Sequence, residues 1–433
     1  MPPPTSTVRG RLPTPGGARR AHLRELRLES LWFWPALAAI AAWVGGDLAA
    51  RYVHTFTFHQ GLFPTDLDDA RTLLSTIATA LLTFTGVVFS VTLVALQMAS
   101  TQYSPRVIRT FVRKPVTKLA LSTFIATFVY SLTLLSRVGT SSKAHTVAQG
   151  AVGLAYLLVM ASIIVFVFFV HSTVRSMRVS YVIEALFHET IPAARNMFAE
   201  ISEYRDAEEP EWLAVTGRIA FEHADAVLDG IDAHHLVRLA AEHECVLRLT
   251  VPVGTFVPRG TELMEVLGGT PPRSSTILGA LHSSPVRTLY QDPSYGLRQL
   301  VDIGIRALSA AINDPTTAVQ ALDRLHGVLR AVATRPDPSG RYVDDAGSVR
   351  LIVPQPGWDR LVELAFTEPA LYGAGSPQVT RKLTAILDDL AACVPPERLP
   401  ALEAQRSWLR EEVSRRHTLP IERVLRPDPL GLG

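Results

Sequence analysis

Cysteine is nearly absent: Cys245 and Cys393 are the only two in 433 residues. Two thiols are too few for a disulfide framework or a Cys-rich zinc site, and both are expected to pack as small apolar residues. Lysine is almost as scarce, occurring only at Lys114, Lys118, Lys143 and Lys382, so the basic charge is carried by arginine. Net charge is close to balance, at +2, which excludes a global field that would recruit nucleic acid. No P-loop, dinucleotide-binding glycine pattern, nucleophile elbow or HExxH signature occurs. His223, His234, His235 and His243 are not spaced four apart as a helical zinc pair requires, and they lack a convincing third ligand. No enzyme, cofactor or resident metal is therefore expected. The stretch 1–28 holds Arg9, Arg11, Arg19, Arg20, Arg24 and Arg27 among Pro, Gly, Ser and Thr. It has no short apolar core leading to a small-residue cleavage site, so it reads as a basic disordered tail and not as a signal peptide.

What the chain has in abundance is apolar sequence: 48% of residues are hydrophobic, crowded into the first 175 positions. Four segments, near 31–53, 74–98, 118–138 and 147–171, reach the roughly 20 residues needed to cross about 30 Å of hydrocarbon. Trp32, Trp34, Trp43 and Tyr52 suit interfacial anchoring in the first. Arginine and lysine then predict orientation. The tail, the connection carrying Arg106, Arg109, Arg113, Lys114 and Lys118, and the segment with Arg175 and Arg178 all fall on one side if there are four spans. Both termini are expected to be cytoplasmic. The expected domains are the tail at 1–28, a transmembrane bundle at 29–175, a cytoplasmic domain at 176–420 and a flexible tail at 421–433.

The second span carries polar and small residues at steps of three, four and seven: Thr76, Thr79, Thr83, Gly86, Ser90, Gln97 and Thr101, begun by Thr72 and Ser75. Such spacing places them on one stripe. It can be a helix-packing seam, as small and hydroxylated residues provide in lipid, or the wall of a wetted path. No charged side chain lies on it to set selectivity. The third span has a shorter stripe of Thr123, Thr127, Tyr130 and Ser131. Asp47, the one acid inside an expected span, lies a helical turn before Arg51, which allows an i,i+4 pair.

Beyond Arg175 the chain becomes amphipathic. Met177 to Tyr204 predicts a long helix interrupted or kinked at Pro192. Asp232 is a candidate N-cap for a helix over 233–243. The stretch 245–266 predicts a hairpin with turns at Gly254 and at Pro258 to Gly260. It is similar to a biotinyl/lipoyl-type hairpin, but no lysine sits at its turn, which excludes a swinging-arm cofactor. Asp292-Pro293 and Asp314-Pro315 each place an acid N-cap before a proline suited to the first helical position, predicting a helical hairpin joined by Ser309 to Asn313. Gly304 is expected to let a neighbour come close. Arg298, Asp302 and Arg306 line one face at i,i+4 spacing. With Asn313 and Asp314 they form a candidate ligand site, although the same residues also read as a surface salt-bridge ladder. A strand over 348–353 and helices over 357–368, 377–393 and 396–416 complete an α+β reading.

Two long segments carry a likeness: TFTGVVFSVTLVALQMASTQYSPR from Thr83 to Arg106, and DPSYGLRQLVDIGIRALS from Asp292 to Ser309 with INDPTTA from Ile312 to Ala318. They resemble the bacterial predicted membrane proteins grouped as domain of unknown function 2254. The resemblance implies a multi-pass protein of the bacterial inner membrane with a cytoplasmic C-terminal domain, and it transfers no reaction or site residue. The expected fold is thus an α-helical membrane bundle of four transmembrane helices plus a cytoplasmic α+β domain with a small β-hairpin module. The leading expectation for function is a homo-oligomeric channel- or transporter-like protein with a regulatory domain. The rival is a membrane-anchored sensor or scaffold that binds a ligand near Arg298. The lipid bilayer is the one partner the composition names, and the solute or ligand stays open.

Overall fold

The structure, a computed structural model, describes residues 32–52, 67–102, 115–138, 149–198, 214–289 and 291–416. The expected tails and the basic connection through Arg113 and Lys114 lie outside the described residues. The chain divides into two compact units, Ala21–Tyr181 and Val182–Gly433.

The N-terminal unit is built from helices α1 (Phe33–Tyr52), α2 (Leu67–Gln102), α3 (Pro115–Val138) and α4 (Gln149–Ser176). Three stretches are long and apolar enough to cross a membrane: Asp68–Met98, Pro115–Arg137 and Gly150–Ser176. Three of the four expected spans thus fall on helices of crossing length, and the first falls on the shorter apolar stretch Phe33–Ala49. Helix α3 is the hub and packs on α1, α2 and α4. Its buried residues Ala120, Phe124, Thr127, Ser131 and Leu134 recur every three or four positions, the spacing of one helix face. Phe84 of α2 and Phe166 of α4 meet edge to face at 4.9 Å, beside Phe124 of α3.

Helix α5 (Val179–Met197) follows α4 after a break at Met177–Arg178. It buries Val182, Ile183 and Leu186 and runs through Pro192 without ending there. The remainder of the expected helix, from 199, lies outside the described residues.

The rest of the C-terminal unit comprises β1 (Val215–Ala220), β2 (Ala226–Ile231), α6 (Ala233–Glu242), β3 (Val246–Leu249), β4 (Phe256–Val257), β5 (Glu262–Leu267), α7 (Ser274–Gly279) and β6 (Leu281–Ser284). Then follow α8 (Pro293–Ala307), α9 (Pro315–Val332), β7 (Arg341–Val343), β8 (Val349–Ile352), α10 (Trp358–Gly373), α11 (Pro377–Cys393) and α12 (Leu399–Arg416). The expected hairpin is present as β3 and β5, paired antiparallel from Val246↔Leu267 to Leu249↔Met264. It is the centre of something larger than a small module: a five-stranded sheet ordered β1-β5-β3-β8-β7, faced by a three-stranded sheet β4-β2-β6. The β3–β8 pairing is parallel, with Leu247 opposite Leu351. Phe221, Leu228, Leu236, Leu247, Leu263 and Ile277 form one buried core from both sheets, α6 and α7.

Three local signals fold as read. Asp232 accepts the His235 amide at 3.0 Å. Asp292 accepts that of Tyr295 at 3.2 Å, and Asp314 that of Thr317 at 3.1 Å. Each cap satisfies an N–H that the first turn leaves without a partner. Helix α8 then packs on α9 and α10. The close approach on α8 is at Gly296, where a Cβ would lie 2.0 Å from Thr190 Oγ1 of α5. Gly304, expected to play that part, has only Ala321 Cβ at an ordinary 3.6 Å.

Candidate functional site

The N-terminus of α8 is the most organised polar site among the described residues. Gln291 grips the end of β2 through both ends of its amide, receiving the Ile231 N–H at 2.9 Å and donating to the Ile231 carbonyl at 3.0 Å. Proline at the first helical position starts α8 at once. Asp292 is only 5% exposed. Its Oδ2 accepts from Arg287 Nε at 3.0 Å and Nη2 at 2.5 Å. Gly254, in the left-handed region at φ +89, lies directly against this carboxylate, and a Cβ there would fall 2.1 Å from Oδ2. The Gly254 turn and the Asp292 cap, separate in sequence, are thus one construction. Burial pushes the Asp292 carboxyl above its ordinary range, more than the Arg287 charge and the hydrogen bonds from Arg287 and the backbone bring it back.

Two turns along α8, Arg298 is held on two sides. Its Nε donates to Asp302 at 2.7 Å, and its Nη1 and Nη2 fork onto Glu368 of α10, the latter at 2.9 Å. The Glu368 hydrogen bond leads the causes that raise the Arg298 pKa further, so the guanidinium is permanently charged and fixed in direction. A cavity of about 560 Å³ opens here, lined among others by Arg287, Asp292, Ser294, Arg298, Gln355 and Arg360. A second, of about 280 Å³, adjoins it and shares Asp292 and the Pro354–Pro356 turn. Its wall includes Asn196 and Met197 of α5. The larger volume is in the range of small-molecule pockets.

Of the candidate ligand residues, the structure places Arg298 in the cavity wall and Asp302 against it. Arg306, Asn313 and Asp314 do not line it. Asp314 is used as a cap, its second oxygen taking the Thr317 hydroxyl at 2.6 Å. Asn313 is exposed at the turn with φ +47, a conformation asparagine tolerates. Sequence reasoning missed Arg287, Ser294, Gln355 and Arg360 as cavity residues. Arg287, five positions before a recognised cap acid, was the one available signal.

In the N-terminal unit the stripe of α2 lies on its outer face. Thr76, Thr79, Thr83, Gly86, Ser90 and Gln97 are exposed on the single chain; the Thr101 side chain lies outside the described residues. The inner face repeats in sevens through Leu74, Leu81, Val88 and Ala95. Thr76, Thr83, Ser90 and Gln97 follow two residues later in the same repeat, about 200° around the helix. The threonine hydroxyls donate back to their own helix: Thr76 to Thr72 O at 2.7 Å, Thr79 to Ser75 O at 2.9 Å and Thr83 to Thr79 O at 3.1 Å. At Thr76 the stripe touches a groove of about 250 Å³ between α2 and α4 with Ile77, Phe84, Val159 and Phe166 in its wall.

The buried polar contact between helices belongs to α3 instead. Thr127 and Ser162 hydroxyls meet at 3.2 Å, and Tyr130 donates to the Ala151 carbonyl at 3.0 Å. Asp47 pairs with Arg137 of α3, where sequence spacing suggested Arg51, whose side chain lies outside the described residues. Cys245 is fully buried and burial pushes its thiol up, so it behaves as an apolar core residue.

A family model described as "Predicted membrane protein (DUF2254)" matches residues 28–389. The chain belongs to this family. The match runs from before α1 into α11, so the DUF2254 region includes both units and the whole Asp292–Arg298 site. Uncharacterised proteins of Mycobacterium bovis and Mycobacterium tuberculosis are similar to this DUF2254 chain. Each is 29% identical over 403 residues, covering 89% of this chain and 77% of the relative. No solved structure matches the chain.

Proposed function

We propose that this DUF2254 protein is a membrane-anchored sensor whose C-terminal unit, on the cytoplasmic side, binds a small ligand in the cavity beside Asp292 and Arg298. The observation that carries this reading is that cavity, with fixed polar groups converging on its wall. Its lining offers guanidinium, amide and hydroxyl groups, and its one carboxylate is already bonded by Arg287, which supports binding over turnover. The adjoining cavity touches α5, the helix that continues the chain from the last candidate span. A ligand there is well placed to bias the segment leading to the bilayer. We also place α1 as a fourth crossing. Its 20 residues reach about 30 Å, and Gly46 lies 3.1 Å from Thr133 of α3 in Cβ terms. The arginine bias then sets both termini and the 103–114 connection in the cytoplasm.

The test uses the full chain in lipid nanodiscs, with thermal unfolding followed against a panel of small metabolites. Leu364→Trp, which fills the cavity wall, serves as the control. Stabilisation of the wild type but not of the filled variant is expected. Solute flux in proteoliposomes with no cavity-dependent stabilisation would overturn the proposal in favour of the channel-like reading. The outward stripe of α2 favours that second reading only as an assembly, since a path along it needs another chain to enclose it.

A further inference from the structure

We infer that the group recognised in this cavity is an oxyanion, a carboxylate or phosphate carried by a small molecule; this rests on the ligand-site reading above. The acidic acceptor in the wall, Asp292, is engaged at both oxygens: Arg287 gives two N–H bonds to Oδ2 and the Tyr295 amide one to Oδ1. The donors are not. Arg287 Nη1 makes no hydrogen bond among the described residues, and its ring of charge is steadied by Tyr295 beneath it at 5.4 Å. Arg298 spends one N–H on each nitrogen, on Asp302 and Glu368, leaving one on each terminal nitrogen. Arg360 is held among the described residues by Glu363 through Nη1 and is 66% exposed. The Ser294 hydroxyl is buried with no partner among the described residues. Arg287, Arg298 and Arg360 therefore line one cavity together with Ser294, whose hydroxyl itself is buried behind its wall.

Donors without an acceptor are unfavourable, the more so where water is excluded, so the complement of this wall is a group rich in acceptors. Carboxylate and phosphate oxygens match the planar guanidinium fork. The carboxylates of Asp302 and Glu368 do not line the cavity. They orient Arg298 from behind and offset its charge. Recognition therefore comes from directed hydrogen bonds more than from net positive field. A cation or an apolar ligand would leave these donors unpaired.

The test measures thermal stabilisation and binding isotherms on the full chain in nanodiscs, with inorganic phosphate, succinate and glycerol as probes at constant ionic strength. The variants are Arg360→Ala, Ser294→Ala and Arg298→Lys. The first is mostly exposed, the second removes a single oxygen, and the third keeps charge but loses the fork. Stabilisation by phosphate or succinate but not glycerol is expected, weakened on the order of ten-fold in Arg360→Ala and Arg298→Lys and to a lesser degree in Ser294→Ala. Phosphate alone identifies a phosphoryl group and succinate alone a carboxylate, and either supports the inference. Phosphate also stabilises proteins by surface exclusion; stabilisation equal in wild type and all three variants is that effect and overturns it. Cavity binding by a neutral molecule, lost in Leu364→Trp while oxyanions have no effect, overturns the ligand class and leaves the sensor reading standing. No cavity binding by any probe or panel compound overturns both.

Discussion

Replacing Gly296 by alanine should loosen the joint between α5 and α8. The new Cβ would sit 2.0 Å from Thr190 Oγ1, 2.7 Å from Thr190 Cγ2 and 2.7 Å from Leu289 Cδ2. Thr190 has nowhere to go: it is fully buried, and its hydroxyl is tied to the Leu186 carbonyl at 2.6 Å. Overpacking of this kind costs about 3 kcal/mol at its upper end, and alanine returns about 1 kcal/mol in helix propensity. The net is destabilisation of about 2 kcal/mol, a fall of roughly 4–8 °C in unfolding temperature for a unit of this size. Gly304→Ala on the same helix is the internal control. Its Cβ meets Ala321 at 3.6 Å, so propensity dominates and the variant should be stabilised by up to about 1 kcal/mol. Adding Thr190→Ala to Gly296→Ala should recover part of the loss, with a coupling on the order of 1–2 kcal/mol. Thermal and denaturant unfolding of the full chain in nanodiscs, followed by tryptophan fluorescence, reads all four. Equal unfolding temperatures for Gly296→Ala and Gly304→Ala would refute the reasoning, since it rests wholly on the difference in space between the two sites.

Arg398 is 7% exposed, donates from Nη1 to the Val332 and Ala333 carbonyls at 2.9 Å each, and lies over the Trp358 ring at 5.0 Å. Arg398→Ala should destabilise the C-terminal unit by about 2–3 kcal/mol, since two carbonyls lose their donor, read as an early unfolding transition that Arg398→Lys restores only partly. In the helical unit, Tyr130→Phe removes the bond to Ala151 O and should lower stability by about 0.6 kcal/mol, measured by unfolding in mixed detergent. Burial alone would raise the Asp389 carboxyl, but hydrogen bonds from His326 and Arg330 outweigh it and hold the group below its ordinary range. Its stabilisation is therefore present above the unfolded carboxylate value of about 3.9 and lost as pH falls through the lower folded value. Asp389→Asn should flatten the acid limb of the stability–pH curve.

Much of the architecture was legible because it is local. The caps at Asp232, Asp292 and Asp314 each bond an amide three residues on, so a short window contains both partners. Helix α11 begins at Pro377 and ends at Cys393 as its punctuation indicates. The apolar stretches of α2, α3 and α4 announce themselves by length. The two-sheet arrangement was not legible. Strand β8 pairs with β3, joining Leu351 to the distant Leu247, and nothing near either strand names its partner. Strands β2 and β6 are short, and their register shifts between Leu228 and Gly230, which blurs the alternation a strand needs to be seen.

A membrane-type helical region, an α+β unit after it, and DUF2254 motifs on a polar-striped apolar helix and a capped hairpin are all legible in the chain. Those properties follow from hydropathy and from contacts within one or two turns. What the motifs face is set by the fold. It turned the α2 stripe outward, because Leu74, Leu81 and Val88 claim the side toward the other helices. It moved the buried polar contact to Thr127 and Ser162. It also closed Gly254 onto Asp292 and brought Arg287, Arg298 and Arg360 to one cavity. Each of these joins residues far apart in the chain, and such pairings are set by packing of whole elements and not by any local preference.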